Sequence, residues 1–288
     1  MEISQNKKKF EYKVAQYNIG KNQNGENIII PHLSFGKSFH YDYDPPDVIN
    51  VLTEEKSKIK NDVSYLEIGV NQGHTFDKID NISLKHGVDP YGSSENITHR
   101  MSSQMFFSMN SRFWKQKYDV IFIDAMHLYE FVDYEIKESL KILKEGGFIL
   151  LHDTCPQNEM RQLVLENEYQ DTLSNVICAA EKKRLNWQEN VEKQEPLGWN
   201  GDVWKNVAEY RTKEEFTIFS IPSACISIIS PRKMDKFYPN EKVILECDND
   251  KIAESLGWHD YYSNFEILMN PVSMEYFKEN ILEYVGGK

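Results

Sequence analysis

Apolar and polar positions alternate in blocks along the middle of the chain. Val63 to Ile68 is a short apolar run that ends at a glycine. Gln72 to Leu84 has helical character, and His86-Gly87-Val88 is a second short strand. Met101 to Asn110 reads as a helix and Val120 to Ile123 as a compact buried strand. In Tyr129 to Leu143 the apolar residues Val132, Ile136, Leu140 and Leu143 fall on one helical face. Glu145-Gly146-Gly147 ends that helix, and Phe148 to Leu151 is the next buried strand. Strand and helix in alternation predict a parallel sheet with helices on both faces.

The flanks follow different patterns. Ile28, Ile29 and Ile30 mark a strand candidate that Pro31 ends, and the aromatic run Phe35 to Tyr43 follows. Asp44-Pro45-Pro46-Asp47 reads as a helix start, because aspartate caps and proline suits the first turn. That helix should run to about Lys60. Thr217 to Ile221 and Ala224 to Ile229 predict an antiparallel pair around a Pro-Ser turn, and Ser273 to Tyr284 a closing helix. The expected fold is therefore α/β, a Rossmann-like doubly wound, mostly parallel sheet with a terminal antiparallel strand. Residues 1–60 form an N-terminal, substrate-side cap, 61–232 the central domain and 233–288 a C-terminal extension.

Composition narrows the partners. The 288 residues carry a formal charge of −12. Such a surface repels phosphate backbones, which argues against nucleic acid. The four cysteines, at 155, 178, 225 and 247, have no CxxC spacing and read as reduced thiols. Met1 to Lys13 is polar and basic, unlike a secretory leader, and the most apolar window, Phe216 to Ile229, is broken by Pro222. A soluble cytoplasmic protein without membrane insertion is expected. Nothing in the sequence fixes the oligomeric state, a homo-oligomer included.

In open parallel sheets ligands bind beyond the carboxyl ends of the strands, so chemistry is sought there. The first strand ends in Glu67-Ile68-Gly69-Val70-Asn71-Gln72-Gly73. Its glycines permit a tight turn, and Glu67 suits a cationic ligand. Asp89 ends the second strand, where a carboxylate can accept both hydrogen bonds of a ribose diol. The next strands end in Asp124-Ala125-Met126-His127 and His152-Asp153. Packing gives no reason for apolar strands to end this way. Such a set can deprotonate a hydroxyl or hold a divalent cation.

Together these stretches resemble the class I S-adenosylmethionine-dependent methyltransferases, and more narrowly the branch called methyltransferase family 24, over roughly residues 63 to 230. The resemblance implies that Glu67, Gly69, Asn71, Gly73 and Asp89 hold S-adenosyl-L-methionine. It implies that Ser102, Ser103 and Gln104 flank the adenine and that Asp124 serves the cofactor as well. Asn71 and Gln104 depart from the usual glycine and acid. The fold so implied also has a strand between Asp89 and Val120 that the pattern does not place.

Two devices for activating an acceptor hydroxyl stand nearly level, the first slightly ahead. In one, His127 is a general base, with Asp124, His152 and Asp153 around it. In the other, Asp124 and Asp153 hold Mg or Mn. The Asn200-Gly201-Asp202-Val203-Trp204-Lys205 segment resembles a further family element. Trp199, Asp202 and Tyr129 are the expected acceptor contacts. Aromatic faces suit sugar rings, so the expected reaction is O-methylation of a sugar, sugar nucleotide or glycan. An N-methyltransferase acting on a small metabolite, or a nicotinamide-dependent oxidoreductase, is the alternative. The oxidoreductase would prefer GxGxxG to the GxxxG found here.

Overall fold

The computed structural model describes residues 41–165, 179, 180, 182, 183, 185, 199–237 and 253–286 with their side chains, and the backbone of 8–14, 19–21, 27–29, 241–247 and 252. Three backbone-only strands open the chain: β1 (Lys8–Val14), β2 (Ile19–Lys21) and β3 (Asn27–Ile29). β2 pairs antiparallel with β3, and β1 pairs antiparallel with β10 (Glu241–Cys247) near the other end of the chain.

Helix α1 (Pro45–Ser57) starts where the two prolines predict. The Asp47 carboxylate accepts the Asp44 N–H at 2.8 Å. Proline costs nothing in the first turn, whose N–H groups lack helical partners. Val48, Ile49 and Leu52 form its wholly buried stripe.

The central sheet runs in the order β5-β4-β6-β7-β9-β8. Its strands are β4 (Ser64–Ile68), β5 (Leu84–Val88), β6 (Tyr118–Ile123), β7 (Leu143–Leu151), β8 (Thr217–Ile221) and β9 (Ile226–Ser230). The pairs β4–β5, β4–β6 and β6–β7 are parallel, whereas β7–β9 and β9–β8 are antiparallel. Side chains alternate across the sheet with the period-two rule of strands. Leu66, Ile68, Ile121, Ile123, Ile149 and Leu151 enter one core cluster. Tyr65, Val120, Phe122, Phe148 and Leu150 enter the other. Both faces are buried, so these strands read as continuous apolar runs.

The first cluster is covered by α2 (Ser103–Met109), α3 (Tyr129–Ile142), α4 (Trp204–Tyr210), and α6 (Trp258–Ser263) and α7 (Phe265–Met269), which follow the single turn α5 (Ile252–Ser255). The second is covered by α1 and α8 (Met274–Val285).

Three local expectations change. Gln72 to Leu84 is not a helix. It holds only a 3₁₀ turn at Phe76–Lys78, and Leu84 already opens β5. Left-handed backbone at Gly73 and Asn81 and extended backbone at Ile79 prevent a longer helix. No strand forms in residues 89–117; only a bridge between Val88 and His99 marks that place. Finally, α3 passes straight into β7, so Glu145 and Gly146 lie inside that strand, next to an irregularity in its pairing with β6.

Candidate active site

The site is built where β6 and β7 stop. The Asp124 N–H still bonds the Ile68 carbonyl at 2.8 Å, and the His152 N–H bonds the Ile123 carbonyl at 3.1 Å. The two residues thus stand side by side at the last rungs. Asp153 then takes left-handed backbone, φ +55°. That turn lets its carboxylate fold back toward Asp124.

Four side chains converge. His152 Nδ1 lies 2.9 Å from Asp124 Oδ1 and 3.5 Å from Asp153 Oδ2. His127 Nε2 lies 3.2 Å from Asp124 Oδ1. His127 Nδ1 is 3.2 Å from Asp153 Oδ2 but out of line for a hydrogen bond. One ligand atom from each residue falls within 4.8 Å of the others.

The electrostatics follow from this pairing. Burial alone would raise the Asp124 pKa, but the His152 charge and the hydrogen bonds of both imidazoles hold it well below the carboxylate range. Burial opposes protonation of His152, yet Asp124 and Asp153 outweigh it and push the imidazole up to about 10. His127 is raised in the same way, against burial, by Asp153 and Asp124. Each imidazole is therefore favoured as a cation between carboxylates.

A loop locks this arrangement. The Gly201 α-carbon faces the His127 carbonyl so closely that a β-carbon would lie 1.7 Å from that oxygen, and its φ is +63°. The Asp202 N–H bonds the same carbonyl at 3.1 Å, and Asp202 Oδ1 accepts the Tyr129 N–H at 2.7 Å. Asp202 thereby serves an otherwise unpartnered N–H in the first turn of α3. The Trp199 ring lies 5.3 Å from the His127 ring, and its Nε1–H bonds the Leu163 carbonyl at 2.5 Å. The Tyr129 hydroxyl is engaged by Glu209. Of the three expected acceptor contacts, Trp199 is thus packed on the cluster, while Asp202 and Tyr129 are held in its scaffold.

The glycine turn lies directly behind Asp124. At Gly69, φ is +93°, and a β-carbon would sit 2.1 Å from the Asp124 carbonyl oxygen. Asn71 is left-handed at φ +47°, a conformation asparagine tolerates better than other side chains. Gly73 is left-handed too, with a β-carbon position 2.7 Å from Asp77 Oδ2. Asp89 ties the turns together. Its Oδ2 accepts the Asn71 N–H at 2.8 Å, and Oδ1 accepts those of Tyr91 at 2.8 Å and Gly92 at 2.6 Å.

Glu67 points into the sheet face under α1 and α8 rather than to solvent. It is buried against the Tyr65 hydroxyl, and burial pushes its pKa up to about 8. Ser102 caps α2, accepting the Met105 N–H at 3.3 Å, and Gln104 on that helix is exposed.

Three residues of the site were not singled out by pattern. Asn200 is wholly buried, and its Nδ2–H donates to Asp153 Oδ1 at 2.5 Å. Glu135 is an acid inside the buried stripe of α3, with Oε2 lacking a partner; burial pushes its pKa to about 7 while the Ser103 hydroxyl bonds it. Arg161 is a buried cation. Of these Glu135 has a readable sequence signal, a carboxylate three residues after Val132 on an apolar face, and Asn200 lies in the segment that resembles a family element.

With this geometry in place, the sequence and fold were compared with known proteins. Residues 66–154 match the family model described as a methyltransferase domain. Over that stretch the chain is similar to a methyltransferase domain. No curated protein matches the sequence significantly. Among solved structures, an O-methyltransferase from Bacillus cereus in complex with SAH is 11% identical, at TM-score 0.37, covering 66% of this chain and 82% of that one. TomG from Streptomyces achromogenes, an O-methyltransferase involved in tomaymycin synthesis and solved with SAM, is 9% identical, at TM-score 0.37, covering 67% and 82%. MycE from the mycinamycin biosynthetic pathway, solved with Mg, SAH and mycinamycin VI, is 10% identical, at TM-score 0.32, covering 59% and 44%.

Proposed function

We propose that the chain transfers the methyl group of S-adenosylmethionine to a hydroxyl of a small molecule, a sugar, sugar nucleotide or glycan end. One observation carries this reading. The Gly69 turn and the four proton-active side chains meet at Asp124, the turn against its backbone and the cluster on its carboxylate.

Methyl transfer from a sulfonium is an in-line displacement, and aligning the partners is the main task. The left-handed turn from Gly69 to Gly73 presents backbone to the cofactor, and Asp89, at the second strand end, takes the ribose. Residues 61–232 supply this domain.

Two carboxylate oxygens and two imidazole nitrogens within 4.8 Å are a donor set that fits a divalent cation. Asp124, Asp153, His152 and His127 would hold it, each imidazole giving up its extra proton to the ion, and the mixed nitrogen and oxygen donors suit Mn²⁺ better than Mg²⁺. Such an ion supplies positive charge that lowers the pKa of a nearby hydroxyl. His127, held between carboxylates, is set to keep a proton, so it acts as a base only after losing one of those partners. Asn200 fixes Asp153 Oδ1 and leaves Oδ2 turned to the cluster. Burial of Cys155 and Cys225 as free thiols fits a reducing, cytoplasmic setting. No helix among the described residues is long and apolar enough to cross a membrane.

The test is incubation of purified protein with S-adenosylmethionine and a panel of sugars and sugar nucleotides, with mass spectrometry for S-adenosylhomocysteine and the methyl ether. Turnover on hydroxyl acceptors is expected. Binding of NAD, with no heat from either sulfur ligand, would overturn the reading.

A further inference from the structure

Arg161 lies in the 3₁₀ turn Glu159–Gln162, a few residues beyond the end of β7. Its carbonyl accepts the N–H groups of Asn200 at 2.7 Å and Gly201 at 3.0 Å. Those are the residues that hold Asp153 and the His127 backbone, so Arg161 is built into the wall of the site. Its side chain is 8% exposed. The guanidinium stands 5.2 Å over the Tyr41 ring, and the Tyr41 hydroxyl donates to the Cys155 carbonyl at 3.2 Å, two residues past Asp153. One nitrogen, Nη1, donates to the Gln157 amide oxygen at 3.3 Å, while Nε is buried with no hydrogen-bond partner.

Arginine is almost never buried unless paired. Among the described residues no carboxylate forms an ion pair with Arg161. The nearby acids Asp124 and Asp153 are engaged by His152 and His127. A cation held out of water in the wall of the site, with one nitrogen short of a partner, is set up to receive an anion. The guanidinium fork matches carboxylate and phosphate with two parallel hydrogen bonds. The whole chain carries −12, so its surface at large repels anions and does not compete for them.

We propose that Arg161 binds an acidic group of the acceptor, a carboxylate or phosphate carried beside the hydroxyl that is methylated. This rests on the methyltransferase reading and narrows it to acidic acceptors such as sugar acids or sugar phosphates. The Tyr41 ring lies against the guanidinium, and the Arg161 backbone is tied to Asn200 and Gly201.

The experiment is calorimetry on S-adenosylhomocysteine-saturated wild type, Arg161→Gln and Arg161→Lys, titrated with inorganic phosphate, D-glucuronate and neutral D-glucose. At least one anion is expected to bind wild type tenfold or more tighter than glucose. That preference should vanish in Arg161→Gln and be partly kept in Arg161→Lys. Preference for phosphate alone assigns a phosphorylated acceptor, and preference for glucuronate alone a carboxylated one. Anion binding equal in wild type and Arg161→Gln, or no preference over glucose in wild type, overturns the proposal. Affinity for S-adenosylhomocysteine should stay within twofold in all three proteins, which shows that the variants fold. Its absence in wild type would refute the methyltransferase reading separately, because the anion titrations can be repeated without it.

Discussion

At the scale of single residues, Asp124 carries the most consequences. It faces both imidazoles and backs onto Gly69. Asp124→Asn keeps the shape and removes the charge that holds His152 and a cation. Turnover should fall by about a hundredfold or more, with a much smaller change in S-adenosylhomocysteine affinity. Chelation by EDTA should abolish turnover, and Mn²⁺ should restore it. Activity indifferent to EDTA, falling with acid in one step, would instead return the task to His127 as base.

Glu67 yields a pH prediction. Its folded-state pKa of about 8 stands above that of a free glutamate, roughly 4.3. The folded chain therefore binds this proton more tightly than the unfolded chain. The resulting stability is complete below about pH 4.3 and is lost as pH rises toward 8. Glu67→Gln should flatten the decline of the urea midpoint between pH 5 and 8, the gap reaching on the order of a few kcal/mol. Parallel profiles for the two proteins would contradict this.

At the scale of elements, the loop holding Gly201 is the strictest fit. Gly201→Ala meets both a left-handed φ and the His127 carbonyl. A cost of about 1–3 kcal/mol in stability is expected, with a larger loss of turnover because His127 is displaced. A wild-type rate in this variant would show that the loop does not set the cluster.

Elements were legible where burial and periodicity agreed. The Pro-Pro start of α1, the face of α3 and the β8–β9 hairpin all stand as the pattern implies. The helix expected after the glycine turn was not legible, because three scattered backbone conformations, not hydrophobic spacing, decide that segment. The strand-end acids and histidines announced the cluster, since polar residues at the ends of buried strands have no packing purpose. Arg161 left no such mark, and Asn200 stood only in a segment that resembles a family element, with no role given to it. Their roles come from a loop that returns to the sheet some forty residues later, and no local spacing encodes a return. Glu67, read as exposed to ligand, shows the opposite failure: the glycine after it does not reveal that its own side chain turns inward.

At the scale of the molecule, the sheet is enclosed by elements distant in sequence. Helix α8 seals the face opposite the helix α3, with Phe277 and Ile281 wholly buried beside Val48 and Leu52 of α1. Phe277→Ala should therefore cost about 3–5 kcal/mol, measured by chemical denaturation. A loss below 1 kcal/mol would mean that this end of the chain is dispensable to the core.

The paired hydrogen bonds from Asn200 and Gly201 to the Arg161 carbonyl have a further meaning for the history of such a protein. They hold residues 161 and 200–201 together as a gate. Closing a loop costs little more as it lengthens, roughly 0.6 kcal/mol per doubling. The gate thus works as a socket. Material inserted there can be lengthened, trimmed or exchanged to meet a new acceptor, while the reacting groups keep their places on the sheet.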